Sequence, residues 1–325
     1  MRTRSGAMPE PDPELTPARF RRLQQILLDL VAREVVEALR ARGLPSILLK
    51  GPAIALWLYG DRGTRAYTDI DLLVPPHRLG AVQDALAPLG FVRTSAPSSE
   101  HDVPGYETIV RRARDGVRVE LHTNLSGVGV GDRELWDALS LECEALAIGL
   151  DDFAAEVLRP PARALLVVLH AAHHGPVFAW PLEDLERALE QLTLDAWDEA
   201  YELATRLEAR PAFAAGLRLH PSGTALLERY GLTELRSVEA ELRASSSPPM
   251  ALALEWLVRL PGVRAKAVFL AREIAPPPHV LRTRSPLARR GHLGLATAYA
   301  WRPLTLLPKV LPALRALHRA SRSAR

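Results

Sequence analysis

Apolar residues recur at helical spacing along residues 16–42, where Leu23, Ile26, Leu27, Leu30, Val31, Val35 and Leu39 predict one long amphipathic helix ended by Gly43. The period then shortens. Ile47-Leu48-Leu49 reads as a strand, and Gly51-Pro52 breaks it and opens a helix that runs to Tyr59, because proline suits the first helical position. Gly60-Asp61-Arg62-Gly63 reads as a turn into Tyr67-Thr68-Asp69-Ile70-Asp71-Leu72-Leu73-Val74. Alternation in that strand sets Ile70, Leu72 and Val74 on one face and Asp69 and Asp71 on the other. A helix over about 77–86 and a strand at Phe91-Val92 follow. Residues 108–112 and 117–122 flank Asp115-Gly116, a strong hairpin signal. In the second arm Val117, Val119 and Leu121 point inward, so Arg118, Glu120 and His122 share the opposite face.

Beyond residue 130 helical periodicity takes over, with helices expected at 161–174, 183–193, 196–208, 211–219, 223–230, 233–245, 247–259 and 262–272. The fold class expected is therefore α+β: a small mixed sheet with helices, followed by an all-α domain. The divisions expected are a disordered N-terminus at 1–15, an α/β core at 16–130, a helical domain at 131–273 and a basic, Pro-containing tail at 274–325. No internal repeat is visible.

Composition narrows the setting. The 325 residues are 48% apolar, ordinary for a chain that buries a real core, and the single cysteine, Cys143, leaves no internal disulfide. With no secretory leader and no apolar stretch long enough to span a bilayer, a cytoplasmic protein is expected. The net charge of +3 is uneven: Asp and Glu are absent after Glu273, while ten Lys and Arg lie there. Such a tail either attracts an anionic partner (nucleic acid, phosphate-rich substrate or lipid surface) or is a helical cap whose arginines are solvated or paired.

The candidate chemistry centres on Asp69 and Asp71, whose Cα atoms lie roughly 6.6 Å apart along a strand. Side by side at a sheet edge, two such carboxylates grip a hard cation such as Mg²⁺ and repel each other without one. Glu120 is either a third carboxylate of the same site or only a partner of Arg118 or Arg111. Lys50, directly before Gly51, is either a phosphate contact or a surface lysine at a strand end. Gly51 allows close backbone approach at a helix N-terminus, where free N–H groups face anions. Arg65 is either an ion-pair partner of Asp69 or a phosphate clamp. His122 shares the face of Glu120. His170, His173 and His174 have a spacing that would suit Zn²⁺, although packing or a polar cleft lining is the plainer reading. Trp180, Trp197 and Trp256 read as core anchors rather than stacking platforms.

The order Leu49-Lys50-Gly51, Tyr59, Arg65, Asp69-Ile70-Asp71-Leu72-Leu73-Val74, Glu120-Leu121-His122, Leu169-His170-Ala171-Ala172-His173-His174-Gly175 and Leu182-Glu183-Asp184-Leu185 resembles the bacterial family of uncharacterised nucleotidyltransferases, within the superfamily typified by DNA polymerase β. The resemblance covers roughly residues 20–260. It departs from the superfamily at Lys50-Gly51-Pro52, where a Gly-Ser or Gly-Gly pair is usual.

The resemblance implies a transfer of a nucleoside monophosphate from an NTP such as ATP to an acceptor hydroxyl, with release of pyrophosphate. It implies two Mg²⁺ ions, with Mn²⁺ as a substitute, held by Asp69, Asp71 and Glu120. Lys50, Gly51 and Arg65 would meet the phosphates, and His122, His170 and His173 would line the cleft. The acceptor stays open among small molecule, peptide and RNA. Two other functions fit the same residues: a catalytically idle member that binds nucleotide or protein, and a toxin-like enzyme that modifies tRNA or protein.

Overall fold

The computed structural model describes residues 17–60, 65–94, 107–148, 153–245, 247–260 and 262–324. The expected disordered N-terminus and most of the Gly60–Gly63 turn lie outside these residues. Helix α1 (Pro17–Arg40) leads into strand β1 (Ile47–Leu48), helix α2 (Pro52–Tyr59), strand β2 (Ile70–Leu73) and helix α3 (Leu79–Leu86). Strands β3 (Phe91–Arg93), β4 (Glu107–Arg112) and β5 (Arg118–His122) come next, then helix α4 (Asp132–Leu139) and strands β6 (Cys143–Ala147) and β7 (Ala154–Leu158).

The seven strands form one mixed sheet in the order β3-β4-β5-β2-β1-β7-β6. The expected β4–β5 hairpin is present, with Val110 opposite Val119. Two expectations change. Strand β2 sits in the middle of the sheet, antiparallel to β1 and parallel to β5, so its aspartates are not at a sheet edge. Sheet residues also continue past 130: β7 runs parallel to β1, and β6 closes the far edge against β7. Both late strands are rich in alanine and glutamate, which favour helices in isolation, so their strand state comes from pairing with the sheet.

One face of the sheet is covered by α1 and α3, where Leu28, Val35, Leu39, Val82 and Leu86 pack on Leu48, Leu72, Val119 and Val157. The other face carries Leu49, Leu73 and Leu158 against the helical half. That half is α5 (Pro160–His174), α6 (Ala179–Gln191), α7 (Leu194–Arg206), α8 (Arg210–Leu217) and α9 (Thr224–Arg229), followed by α10 (Val238–Ala244), α11 (Pro249–Arg259) and α12 (Gly262–Ile274). Helix α5 is buried along almost its whole length, with Leu165, Val168 and Leu169 meeting Trp197, Leu203, Phe213 and Leu217. Trp197 is thus the core anchor expected of it, at 2% exposure.

The basic tail is ordered as helix. Helix α13 spans Pro278–Arg284, and α14 runs from Gly291 to Ser323 through three prolines, Pro303, Pro308 and Pro312. Alanines of α14 pack on α10 and α11, with Ala313, Ala316 and Ala320 joining Leu242, Ala251 and Leu252.

Candidate active site

Register explains the site. Parallel pairing of β2 with β5 places Asp71 directly beside Glu120, on strands roughly 4.8 Å apart. Two residues further along β5, His122 returns to the same face. Extending the register back by one residue brings Asp69 beside Arg118, and these two side chains form an ion pair. Arg118 also reaches Glu120, with Nη2 3.2 Å from Oε1. Antiparallel pairing of β1 supplies the remaining member. Leu49 N–H donates to the Asp71 carbonyl at 3.0 Å, and the next residue, Lys50, places Nζ 2.8 Å from Asp71 Oδ1.

Asp71 Oδ1 therefore faces two nitrogens, Lys50 Nζ and His122 Nε2, the latter at 3.0 Å. His122 Nε2 lies 3.7 Å from Glu120 Oε2. Burial alone would raise the pKa of Asp71, but the Lys50 charge and the His122 bond outweigh it and hold the carboxyl far below the usual carboxylate range. Burial, and then the negative charge of Asp71, push Glu120 up to about 7. Lys50 and His122 are both raised despite burial, because each is bound to Asp71.

Asp71, Glu120 and His122 form a cluster whose potential ligand atoms all lie within 4.8 Å of one another. Two carboxylate oxygens and an imidazole nitrogen, buried and acidic, are a donor set that fits a divalent cation. The expected trio was Asp69, Asp71 and Glu120. Asp69 instead stands one pair further along, tied to Arg118, and His122 takes its place in the cluster. Strand alternation already put His122 on the right face; what the sequence did not show is that β2 runs parallel to β5.

The segment that delivers the aspartates is framed on several sides. From α1, Gln25 Nε2 donates to the Arg65 carbonyl at 2.5 Å, and Asp29 Oδ1 accepts from the Tyr67 hydroxyl at 2.5 Å. Gly51 caps α2 with φ 62°, a conformation that favours glycine, and a Cβ there would lie 3.4 Å from the Tyr67 ring.

Arg65 is not the ion-pair partner of Asp69, which is held by Arg118. Arg65 is 5% exposed, and its guanidinium meets Asp184 of α6 in a two-pronged pair, Nε to Oδ1 at 2.8 Å and Nη2 to Oδ2 at 2.7 Å. The Tyr59 hydroxyl donates to the same Oδ1 at 2.8 Å, and its pKa is raised by burial and by the Asp184 charge. This buried trio fastens α2 and the approach to β2 onto the helical half.

The histidines of α5 stack rather than gather around one point. His170 and His174 meet edge to face at 4.6 Å, and the Trp180 ring lies 4.8 Å from His170 and 5.2 Å from His174. His173 Nδ1 is 2.8 Å from the Ser126 hydroxyl. Burial, together with the Lys50 charge, pushes the pKa of His170 well below the ordinary imidazole value. Trp180 is not a core anchor: it is 42% exposed, beside Phe178 at 48%, and the Arg65 guanidinium lies 5.9 Å from its ring. Trp256 packs partly buried on the α10–α11–α14 cluster.

Residues 14–222 match the family described as uncharacterised nucleotidyltransferase. The chain belongs to that family. This nucleotidyltransferase is also similar to solved structures. One is ANT(2")-Ia in complex with adenylyl-2"-tobramycin, at 19% identity over 55% of this chain and 97% of that chain, with a TM-score of 0.40. A second is an antigenic nucleotidyltransferase-like protein from Paracoccidioides brasiliensis, at 16% identity over 60% of this chain and 92% of that one, with a TM-score of 0.34. A third is a tRNA-processing enzyme in its apo form, at 14% identity over 89% and 91% of the two chains, with a TM-score of 0.26. A search of curated proteins gave no match. No helix among the described residues is long and apolar enough to cross a membrane.

Proposed function

We propose that the enzyme transfers a nucleoside monophosphate from an NTP to an acceptor hydroxyl in a Mg²⁺-dependent reaction. The acceptor oxygen attacks the α-phosphorus, a new O–P bond forms, the bond bridging the α- and β-phosphates breaks, and pyrophosphate leaves with the bonding electrons. The observation that carries this reading is the pairing of Asp71 with Glu120 beside His122 and Lys50, on the face turned to the helical half.

Asp71, Glu120 and His122 are the residues that would hold a divalent cation, which would supply charge neutralisation at the phosphate oxygens. Lys50 supplies a fixed positive charge at the same corner for the phosphates. Glu120, at the same corner, would accept the proton of the attacking hydroxyl. Arg118 keeps Asp69 and Glu120 oriented. The exposed ring of Trp180, 4.8 Å from His170, offers a face on which the nucleobase would stack. Arg65 acts as a positioning residue through Asp184.

Parallel incubations with α-labelled and γ-labelled NTPs, Mg²⁺ and a cell extract test the reaction class. The α-label should appear on an acceptor and the γ-label in pyrophosphate. Transfer of the γ-label to an acceptor, or nucleotide binding without either event, would rule the proposal out.

A further inference from the structure

Helix α14 has two unlike sides. One packs Ala313, Ala316 and Ala320 onto α10 and α11. The other carries a row of large apolar side chains open to solvent. Leu304, Leu307, Leu311 and Leu314 are 53%, 64%, 55% and 47% exposed, with Trp301 at 59% ahead of them. Successive leucines are three or four residues apart, so at roughly 100° per residue they form one stripe on the side away from the buried alanines. Arg315, Arg319 and Arg322 are exposed along the same helix. From residue 275 to 325 the chain holds ten Lys and Arg and no Asp or Glu.

We propose that α14 lies flat on an anionic lipid surface. Its leucine stripe and Trp301 enter the headgroup region, and its arginines meet lipid phosphates. Basic side chains beside an apolar stripe, with a tryptophan one turn ahead on its flank, are features that suit such a helix. The helix lies on the membrane rather than crossing it, since no helix among the described residues is apolar enough to span one. Charge separates this partner from the alternatives. A second copy would bring one acid-free helix against another, setting arginine against arginine. An RNA would satisfy the arginines but leave the leucine stripe in water. Of these three, the anionic lipid surface alone offers both negative charge and apolar depth. Two hydrogen bonds hold the start of α14 on the end of α12: Tyr299 Oη to the Pro276 carbonyl at 2.5 Å and Arg302 Nε to the Glu273 carbonyl at 2.8 Å. The surface is thus an extension of the folded body, so docking would anchor the enzyme at the bilayer.

The test is flotation of the full chain with phosphatidylcholine vesicles, with or without phosphatidylglycerol. Binding is expected only to the anionic vesicles and should weaken with salt. Leu307→Glu with Leu311→Glu should lower the partition coefficient at least about tenfold. Arg315→Gln with Arg319→Gln keeps the apolar stripe as an independent check on folding, and should lower it roughly fivefold per arginine. Both variants should keep the circular dichroism spectrum of the parent. Absence of vesicle binding, binding indifferent to both variants, a concentration-dependent dimer that the leucine variant dissolves, or RNA binding that the leucine variant leaves intact while vesicles are ignored would each overturn the proposal.

Discussion

Replacing Asp184 with asparagine removes the charge that Arg65 depends on. The pair is two-pronged, at 2.8 and 2.7 Å, with side chains 5% and 2% exposed, so water cannot take the place of the lost carboxylate. An exposed pair would contribute at most about 1 kcal/mol. A guanidinium left buried without its partner costs about 3–5 kcal/mol, a large share of a typical total of about 5–15 kcal/mol. The prediction for Asp184→Asn is therefore a loss of about 3–5 kcal/mol, read as a lower urea midpoint with an unchanged slope. Arg65→Met should cost a similar amount by stranding Asp184. The double change Arg65→Met with Asp184→Leu leaves no charge behind and should recover most of the loss, giving a coupling of more than about 2 kcal/mol in the double-mutant cycle closed by the single changes Arg65→Met and Asp184→Leu. The same double variant, assayed where it is folded, should keep its KM for NTP within about twofold, because Arg65 acts on packing. A single-mutant loss below about 1 kcal/mol, or an additive cycle, would refute the energetic argument. A KM raised more than about tenfold in the double variant would return Arg65 to the phosphates.

Trp180→Ala should raise KM for NTP by about five- to a hundredfold with kcat changed little, as expected when a stacking surface worth roughly 1–3 kcal/mol is lost, while Trp180→Phe should retain most of the affinity; steady-state kinetics decide this. His170, held neutral by burial and by Lys50, binds its proton more readily in the unfolded chain, so it makes stability fall as pH drops below about 6.5, by up to about 1.4 kcal/mol per pH unit. His122 has a raised pKa and acts in the opposite sense, but it is present in both proteins compared. Unfolding midpoints of wild type and His170→Gln between pH 7.5 and 5 should therefore converge on acidification; parallel profiles would contradict the assignment.

Much of the core was legible because a strand has a period of two. Alternation alone placed Asp69 with Asp71, and Glu120 with Arg118 and His122, on single faces. Which strand lies beside which is a long-range choice, and this is why the trio came out as Asp71, Glu120 and His122 while Asp69 went to Arg118. Arg65 and Asp184 both stood in recognisable motifs, yet nothing local says that a residue before β2 reaches one on α6, 119 positions later. Strands β6 and β7 were hidden by alanine and glutamate, whose intrinsic preference the sheet overrides. Three prolines lie inside α14, yet it runs as one continuous helix whose alanines pack on α10 and α11. Trp180 was assigned to the core on residue type alone, and side-chain exposure at a helix start is not written in composition.

Asp71→Asn tests the central claim most directly. The asparagine keeps the shape of the side chain but loses the charge that Lys50 and His122 share and that a divalent cation would need. With folding verified by circular dichroism, Mg²⁺-dependent pyrophosphate release from NTP should fall by at least about a thousandfold, as expected when an essential charge of a phosphoryl-transfer site is removed. Unchanged turnover in the folded variant would contradict the account.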